Sequence, residues 1–532
     1  MIYDLALEKE VSKLTDISVD ICIIGAGTSG IYLAHKLKKS GLKILILEEG
    51  GLNGMTPKES DHVCIQKNDI YNGAEKGRSF GLGGTSALWG GQMIPLSESD
   101  FEERTNINFL NWPIKFNDIL PYINEVIDDL NLPRLCNSKS KMYKQQFFPK
   151  LDNTSKKLKL RLSQWLPFKK RNFGKLYFKE LRESVNIDVW VNAPVLDIIK
   201  DNAKNQIDSV KVKSLGQNFL YVRPSILVIG AGAIESTRLL LRFDKDNAHS
   251  ITKLGAPLGN FFSDHLSVTC GEFKCYDLNS FNLLTSPIFK KGIMHSARLE
   301  LSQEAQTQLN TGSAFSHITY KTHKNSEFDL IRRLLKRRQN NDEKIPKISI
   351  KLFAKSFFSI VNMVFWRFFY KRLKLSESTT LLLQLDIEQF PDKGNKLYLS
   401  ERLDSLGREM VNIEWEIKEI DRTNINKIKQ LMVLEWQKII PSSIATVEMN
   451  QLPKSDDINN IYDVFHPTGT ICMGDNNKNS VLNKDLCLWA LDNCYVTTTA
   501  IFPSAGSANP GLTHLALTAR LADHIVKIFD RK

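Results

Sequence analysis

Apolar and polar positions alternate along this 532-residue chain with two different periods. Val19 to Ile24 is an unbroken, β-branched apolar run, the pattern of a strand buried on both faces of a parallel sheet. The run ends at Gly25, after which Ile31, Ala34, His35 and Leu37 follow a helical period. A second apolar run, Lys43 to Leu47, stops at Glu48. Ile187, Val189, Val191 and Val195 alternate as strands do. Tyr221 to Ile229 is another buried strand, running into Gly230 and a helical stretch through Leu241. Alternation returns at Thr379 to Ile387, a further strand is expected at Lys396–Leu399, and an amphipathic helix through His524 closes the chain. Residues 123–184 are lysine-rich and loosely patterned, and are expected to form helices and a flap.

The first of these units has the spacing of a nucleotide site. Gly25, Gly27 and Gly30 form G-x-G-x-x-G between a strand and a helix, and Glu48 stands 23 residues beyond Gly25. Gly25 allows the tight turn, Gly27 the approach of a pyrophosphate, and Gly30 the packing of helix on strand. The free N–H groups of the helix start meet the phosphate charge. Glu48 is placed to accept hydrogen bonds from a ribose. The motif leaves NAD and FAD equally open. A second glycine-rich stretch, 78–95, carries Leu82, Leu88, Trp89 and Met93 among its glycines. Flexible linkers lack such anchors, so this backbone is expected to lie close against a large flat ligand.

The eight cysteines include no C-x-x-C pair, and several fall inside apolar runs, as reduced core residues of a cytoplasmic protein do. Met1 to Ile17 has mixed charge and no apolar signal-peptide core. The net charge of +12 is concentrated, since residues 331–375 hold 13 Lys/Arg against 2 acids. A nucleic-acid binder spreads its basic residues over a docking face, so nucleic acid is not an expected partner. The core of the segment, 351–372, is aromatic and flanked by cations, but Lys355, Asn362 and Arg367 interrupt it too often for a membrane span. Two readings stay open. One is a helix pair packed on the core with a solvated basic face. The other is an interfacial helix whose Lys351, Lys355, Lys371, Arg372 and Lys374 meet anionic lipid, which would place the protein at the inner face of a membrane.

The Gly25 turn, together with Gly81-Leu-Gly-Gly-Thr-Ser-Ala-Leu-Trp-Gly-Gly91, resembles the FAD-binding half of the glucose–methanol–choline (GMC) oxidoreductases. Gly230–Leu241, Gly255–His265, and the C-terminal His466-Pro-Thr-Gly and Ile501–Pro510 stretches are similar to family segments as well. Trp112-Pro113-Ile114 and Glu388-Gln389-Phe390-Pro391 resemble the branch nearest pyranose oxidase and bacterial sugar dehydrogenases.

The resemblance implies an α/β fold with a Rossmann-like FAD-binding domain built from 1–105, 185–265 and 466–532. A helical or flap segment would occupy 106–184, and an inserted α+β substrate domain with a mixed or antiparallel sheet 266–465. It implies FAD contacts at Gly25, Gly27, Gly30, Glu48, Gly84, Thr85, Ser86, Trp89, Gly90, Val195, Gly230, Ala508 and Pro510, with Gln389 beside the substrate. It places His466 as the base and Asn509 as the orienting donor for oxidation of a CH–OH group of a sugar, glycoside or glycan precursor, free or lipid-linked. Members with covalently attached flavin carry a histidine in or just after the stretch that is 85–92 here. None occurs there, which implies dissociable FAD. No metal site is expected, and the electron acceptor and oligomeric state are left open. The competing readings are a nicotinamide dehydrogenase, a non-redox lyase on the same FAD scaffold, an alcohol or sterol oxidase, and a membrane-bound scaffold with a dead site.

Overall fold

Three sheets organise the computed structural model, which describes the chain apart from residues 8–14, 69, 105–109, 135–145, 149–154, 202, 214–218, 323–325, 341–356, 450–459 and 532. The first sheet has eight strands in the order β1 (Ile2–Asp4), β7 (Ile187–Val191), β3 (Ile44–Leu47), β2 (Asp16–Ile24), β10 (Phe219–Ile229), β9 (Ile207–Lys213) and β8 (Val195–Lys200), with β20 (Cys494–Val496) also on β10. Pairing is parallel from β1 to β10 and at β20, and antiparallel at β9 and β8. Ile21, Cys22 and Ile23 are fully buried in β2, as a parallel strand covered on both faces requires. Helices α1 (Thr28–Leu37), α2 (Phe116–Asp129) and α7 (Gly511–Asp530) pack against one another beside this sheet. A further helix, α3 (Ala233–Asp246), follows β10.

The second sheet is antiparallel, with nine strands. Its order is β18 (Ala445–Met449), β11 (His265–Cys275), β15 (Thr380–Glu388), β14 (Ala314–Lys321), β13 (Ile293–Leu301), β6 (Leu158–Trp165) and β5 (Gln92–Met93). Strand β12 (Ile288–Lys290) pairs with β13, and β19 (Ile461–Asp463) with β11. Leu381, Leu383, Leu385 and Ile387 bury one face of β15 in a core that includes Trp436 and Met432 of α6 (Glu419–Ile439). Gln384 and Asp386 point from the other face into a cavity. A small sheet of β16 (Lys396–Leu403), β17 (Glu409–Glu414) and β4 (Ile65–Gln66) completes the set. The fold is therefore mixed α/β, with a Rossmann-like sheet and a separate antiparallel one.

One expectation needs correction. Segment 106–184, read as helices and a flap, supplies β6, which pairs with β13 and β5 inside the second sheet. Leu158, Leu160 and Leu162 do alternate, but Lys157, Lys159 and Arg161 on the other face disguised a strand as a lysine-rich loop.

Segment 331–375 takes in most of α4 (Glu327–Asn340) and all of α5 (Phe357–Phe369), while Lys351 and Lys355 lie outside the described residues. Gln339 of α4 reaches the turn at 86–89, its Nε2 donating to the Ala87 carbonyl at 3.0 Å. In α5 only Trp366 is buried. Arg372 does not reach solvent as a lipid contact would need, because its guanidinium is buried and donates to the carbonyls of Ser286 and Gln146.

Candidate active site

A cavity of about 670 Å³ runs from the first glycine turn to the polar face of the second sheet. At its nucleotide end the glycines are required by contact. Gly25 has φ +102°, and a Cβ there would lie 2.6 Å from the Gly230 carbonyl oxygen. A Cβ on Gly30 would lie 2.0 Å from the Gly25 carbonyl oxygen, so any side chain would lift α1 off β2. Gly27 is different. Its Cβ would meet nothing in the protein closer than 4.0 Å, and it opens α1 with no side-chain cap. Backbone N–H groups at a helix start facing an open space form an anion site, and this cradle fits a pyrophosphate. Gly84 closes against it, since a Cβ there would lie 2.9 Å from the Gly27 Cα.

Thr85, Trp89, Gly90, Val195, Gly230 and Pro510 also line the cavity. Trp89 is held edge-on to Phe173 and donates through Nε1 to the Arg171 carbonyl at 2.7 Å. Glu48 lines the cavity too, but its carboxylate already accepts N–H bonds from Ala26 at 2.8 Å, Gly50 at 3.0 Å and Gly81 at 2.8 Å. Burial pushes this carboxyl up to about 7 against those bonds. Glu48 thus ties both glycine loops to the end of β3, with Oε2 accepting from Ala26 alone.

Four residues expected at the cofactor or substrate, Gly30, Ser86, Ala508 and Gln389, do not line the cavity. Ser86 is fully buried outside the cavity, donating to the Gly83 carbonyl at 2.5 Å and accepting from Phe173 N at 2.9 Å. Ala508 is packed in the core of the first sheet. Gln389 is fully buried, accepting from Trp415 Nε1 at 2.7 Å and donating to the Glu416 carbonyl at 3.0 Å. Its Oε1 also accepts from Asp264 N at 3.3 Å, so its amide joins the end of β15 to the segment after β17 and to the start of β11.

His466 and Asn509 do come together on the cavity wall, 3.4 Å apart from His466 Nε2 to Asn509 Nδ2. His265, the first residue of β11, joins them, its Nδ1 3.1 Å from His466 Nδ1 and its Nε2 3.3 Å from the Ala505 carbonyl oxygen. One buried carboxylate anchors both histidines. Asp264 accepts from His265 N at 2.7 Å, His466 N at 2.7 Å and the Tyr71 hydroxyl at 2.8 Å. Burial, with the Asp463 charge beside it, pushes Asp264 up to about 8. Burial holds both imidazoles below their ordinary range, and for His466 the neighbouring His265 adds to the effect. Both rings are neutral at physiological pH, so the pair can accept a proton there.

Beyond this pair the second sheet presents polar side chains at alternate positions. They are Ser267 of β11, His317 and Thr319 of β14, Arg298 of β13, and Gln384 and Asp386 of β15. Arg298 donates to Gln92 Oε1 at 2.9 Å and lies 5.1 Å over the Phe315 ring, while burial lowers it to about 10. Asp386 accepts from Ser267 and lies 3.5 Å from His317 Nδ1, and burial raises its carboxyl. Arg298 Nε, Gln92 Nε2 and Asn509 Oδ1 are buried with no hydrogen-bond partner among the described residues. Trp165, Phe315 and Tyr462 add aromatic surface.

Sequence reasoning missed His265, Arg298, His317 and Asp386. Polar residues at 384 and 386 inside an otherwise apolar strand were a usable signal, because a face turned to a core would not carry them. Nothing in the sequence alone brought 265, 298, 317 and 386 to one place.

Comparison with known proteins fits this geometry. Residues 391–518 match the GMC oxidoreductase family model, and residues 23–64 match that of an NAD(P)-binding Rossmann-like domain. The fructose dehydrogenase large subunit of Gluconobacter japonicus is 21% identical over 96% of this chain and 98% of its own length. The 6'''-hydroxyparomomycin C oxidase of Streptomyces lividus is 28% identical over 19% of this chain and 21% of its own. Among solved structures, pyridoxine 4-oxidase from Mesorbium loti superposes with a TM-score of 0.60 at 15% identity, covering 95% of this chain and 99% of that one. A formate oxidase does so with a TM-score of 0.57 at 14% identity, covering 97% and 99%.

Proposed function

The chain is an FAD-dependent oxidoreductase of the GMC family, and on that premise we propose that it oxidises a CH–OH group of a polyhydroxylated substrate, a sugar, glycoside or glycan precursor. The observation that carries the reading is the neutral His466 beside Asn509 on a wall shared by the glycine cradle and a polar sheet face. Bound flavin supplies a hydride acceptor at N5. His466 Nε2 accepts the substrate hydroxyl proton, which its neutral state allows at physiological pH. Asn509 cannot take a proton there and orients the hydroxyl oxygen, so the reacting carbon keeps one position.

The far wall supports the substrate class. A polyhydroxylated ring would find hydrogen-bonding side chains along Ser267, Thr319, Gln384 and Asp386 and lie against Trp165 or Tyr462. A sterol nucleus would take that polar face out of water without hydrogen-bonding it, at about 1–3 kcal/mol for each group left unpaired. The fructose dehydrogenase relative agrees with a sugar.

The test is anaerobic flavin bleaching against a panel of sugars, sterols and simple alcohols. His466→Ala is expected to keep FAD and to slow reduction by roughly 10²–10⁴. Asn509→Ala slows it with less effect on the pH profile. An unslowed His466→Ala removes the proposed base, and a flavin that no substrate bleaches would favour a non-redox lyase.

We also propose a membrane-proximal, lipid-linked carbohydrate as the form of the substrate. Phe357, Phe358, Val361, Phe365, Phe368 and Phe369 of α5 lie exposed within an arc of about 120° at 100° per residue. Phe358 is 84% and Phe369 74% exposed, whereas Trp366, outside that arc, is 7% exposed. Lys371 is exposed just beyond the helix, and Arg367 and Lys374 lie over the Phe289 and Trp366 rings at 3.8 and 4.3 Å. An apolar stripe edged by cations suits the headgroup boundary of an anionic bilayer. No helix among the described residues is long and apolar enough to cross a membrane.

A further inference from the structure

We propose that His265 is a positioning residue that decides which nitrogen of His466 is free to take the substrate's proton. The inference rests on the reading of His466 as the base. His265 Nε2 faces the Ala505 carbonyl oxygen at 3.3 Å, and a carbonyl can only accept, so the His265 proton sits on Nε2. Its Nδ1 is then a lone pair. That lone pair faces His466 Nδ1 at 3.1 Å, a contact with room for one proton, which His466 must supply. With its proton on Nδ1, neutral His466 has its lone pair on Nε2, where Asn509 Nδ2 approaches at 3.4 Å. Each contact fixes the next, and the series ends with the basic nitrogen on the cavity side.

The geometry of the two rings is built in. Asp264 holds the backbone N–H groups of both residues at 2.7 Å, and the ring centroids lie 5.0 Å apart at an interplanar angle of 78°. Burial keeps both rings neutral, and because the Ala505 carbonyl holds the His265 proton on Nε2, the two Nδ1 atoms do not both carry protons. The other charged groups near His265 are the Asp386 and Glu388 carboxylates of β15. When His466 takes the hydroxyl proton on Nε2, its Nδ1–H stays directed at the His265 lone pair, and the new imidazolium charge faces an acceptor.

Without His265 the opposite tautomer would be self-consistent. Asn509 could turn its amide and offer Oδ1, which has no partner among the described residues, to a proton on His466 Nε2. That arrangement presents an N–H to the substrate hydroxyl and cannot accept its proton. His265 therefore excludes the inactive tautomer, a role no property of His466 itself provides.

The experiment reads the tautomer directly. The flavin-loaded, deuterated protein with ¹⁵N-labelled histidine is examined by NMR, with the His466 signals identified by their loss in His466→Gln. The parent is expected to carry the His466 proton on Nδ1. His265→Asn, whose amide oxygen can accept in place of the ring nitrogen, should keep it there. His265→Leu should shift it wholly or partly to Nε2, and His265→Ala replaces that variant where leucine does not fold. A parent with the proton on Nε2, or an unshifted His265→Leu, overturns the proposal. With any sugar that bleaches the parent, His265→Leu should reduce its flavin on the order of 10–10³ more slowly, with the rate largely restored in His265→Asn. A parent that no sugar bleaches counts against the functional reading, and the NMR result still decides the role of His265.

Discussion

Replacing Gly27 or Gly30 by alanine separates two duties that a glycine motif otherwise confounds. At Gly30 a Cβ would sit 2.0 Å from the Gly25 carbonyl oxygen and 3.2 Å from Ile23 Cγ2. The first distance is roughly 1.4 Å short of van der Waals contact, and its partner is backbone rather than a side chain that can swing away. Helix α1 must then move off β2, at a cost of about 1–3 kcal/mol or more. At Gly27 the nearest protein atom would be 4.0 Å away, and φ −82° suits an L-residue, so Gly27→Ala should fold as the parent does. The methyl group instead occupies the space in front of the α1 N–H groups. Displacing a charged ligand from one such hydrogen bond costs about 1.5–3 kcal/mol, or roughly 10- to 150-fold in FAD affinity. Thermal unfolding of the flavin-free protein and titration of FAD by its absorbance read the two quantities separately. Gly30→Ala should lower the unfolding temperature and FAD affinity together, and Gly27→Ala the affinity alone. Parent-like FAD affinity in Gly27→Ala would refute the assignment of that space to the pyrophosphate.

Three further outcomes are expected. Acid precipitation should release all the yellow colour into the supernatant, since 85–92 contains no histidine for covalent attachment, and colour kept in the pellet would reverse that expectation. Folded Asp264, near 8, holds a proton that the unfolded chain releases near 4, so its contribution to stability falls as pH rises between those values. Asp264→Asn removes that dependence, and the parent should gain stability relative to the variant as pH falls from about 8 toward 5. A pH-independent difference in unfolding temperature would contradict the proton held by that buried carboxyl. The protein should sediment with anionic vesicles at low salt, release as salt rises, and bind poorly to neutral ones, each nearby cation contributing about 1 kcal/mol. Phe368→Asp should weaken that binding, and a protein left in the supernatant at low salt would end the membrane reading.

Local sequence determined the elements whose physics is local. An unbroken apolar run from Val19 to Ile24 can be buried on both sides only in a covered sheet, and β2 is that strand. Glycines spaced as 25, 27 and 30 have value only at a tight turn that opens a helix, and α1 begins at Thr28. His466 and Asn509 could be paired through motif resemblance, although 43 positions separate them. Tertiary structure decided the rest, because the deciding contacts are between segments far apart in the chain. Only folding brings His265 within 3.1 Å of His466 across 201 positions, and only the register of β15 against β11 and β14 turns Gln384 and Asp386 toward the same cavity as His317. The same cause moved Gln389 from the substrate wall into a hydrogen-bonded core and put Ser86 behind its turn. A motif specifies which residue types stand near a ligand. Which side chains face it depends on strand register and on competing buried hydrogen bonds, and these belong to the assembled fold.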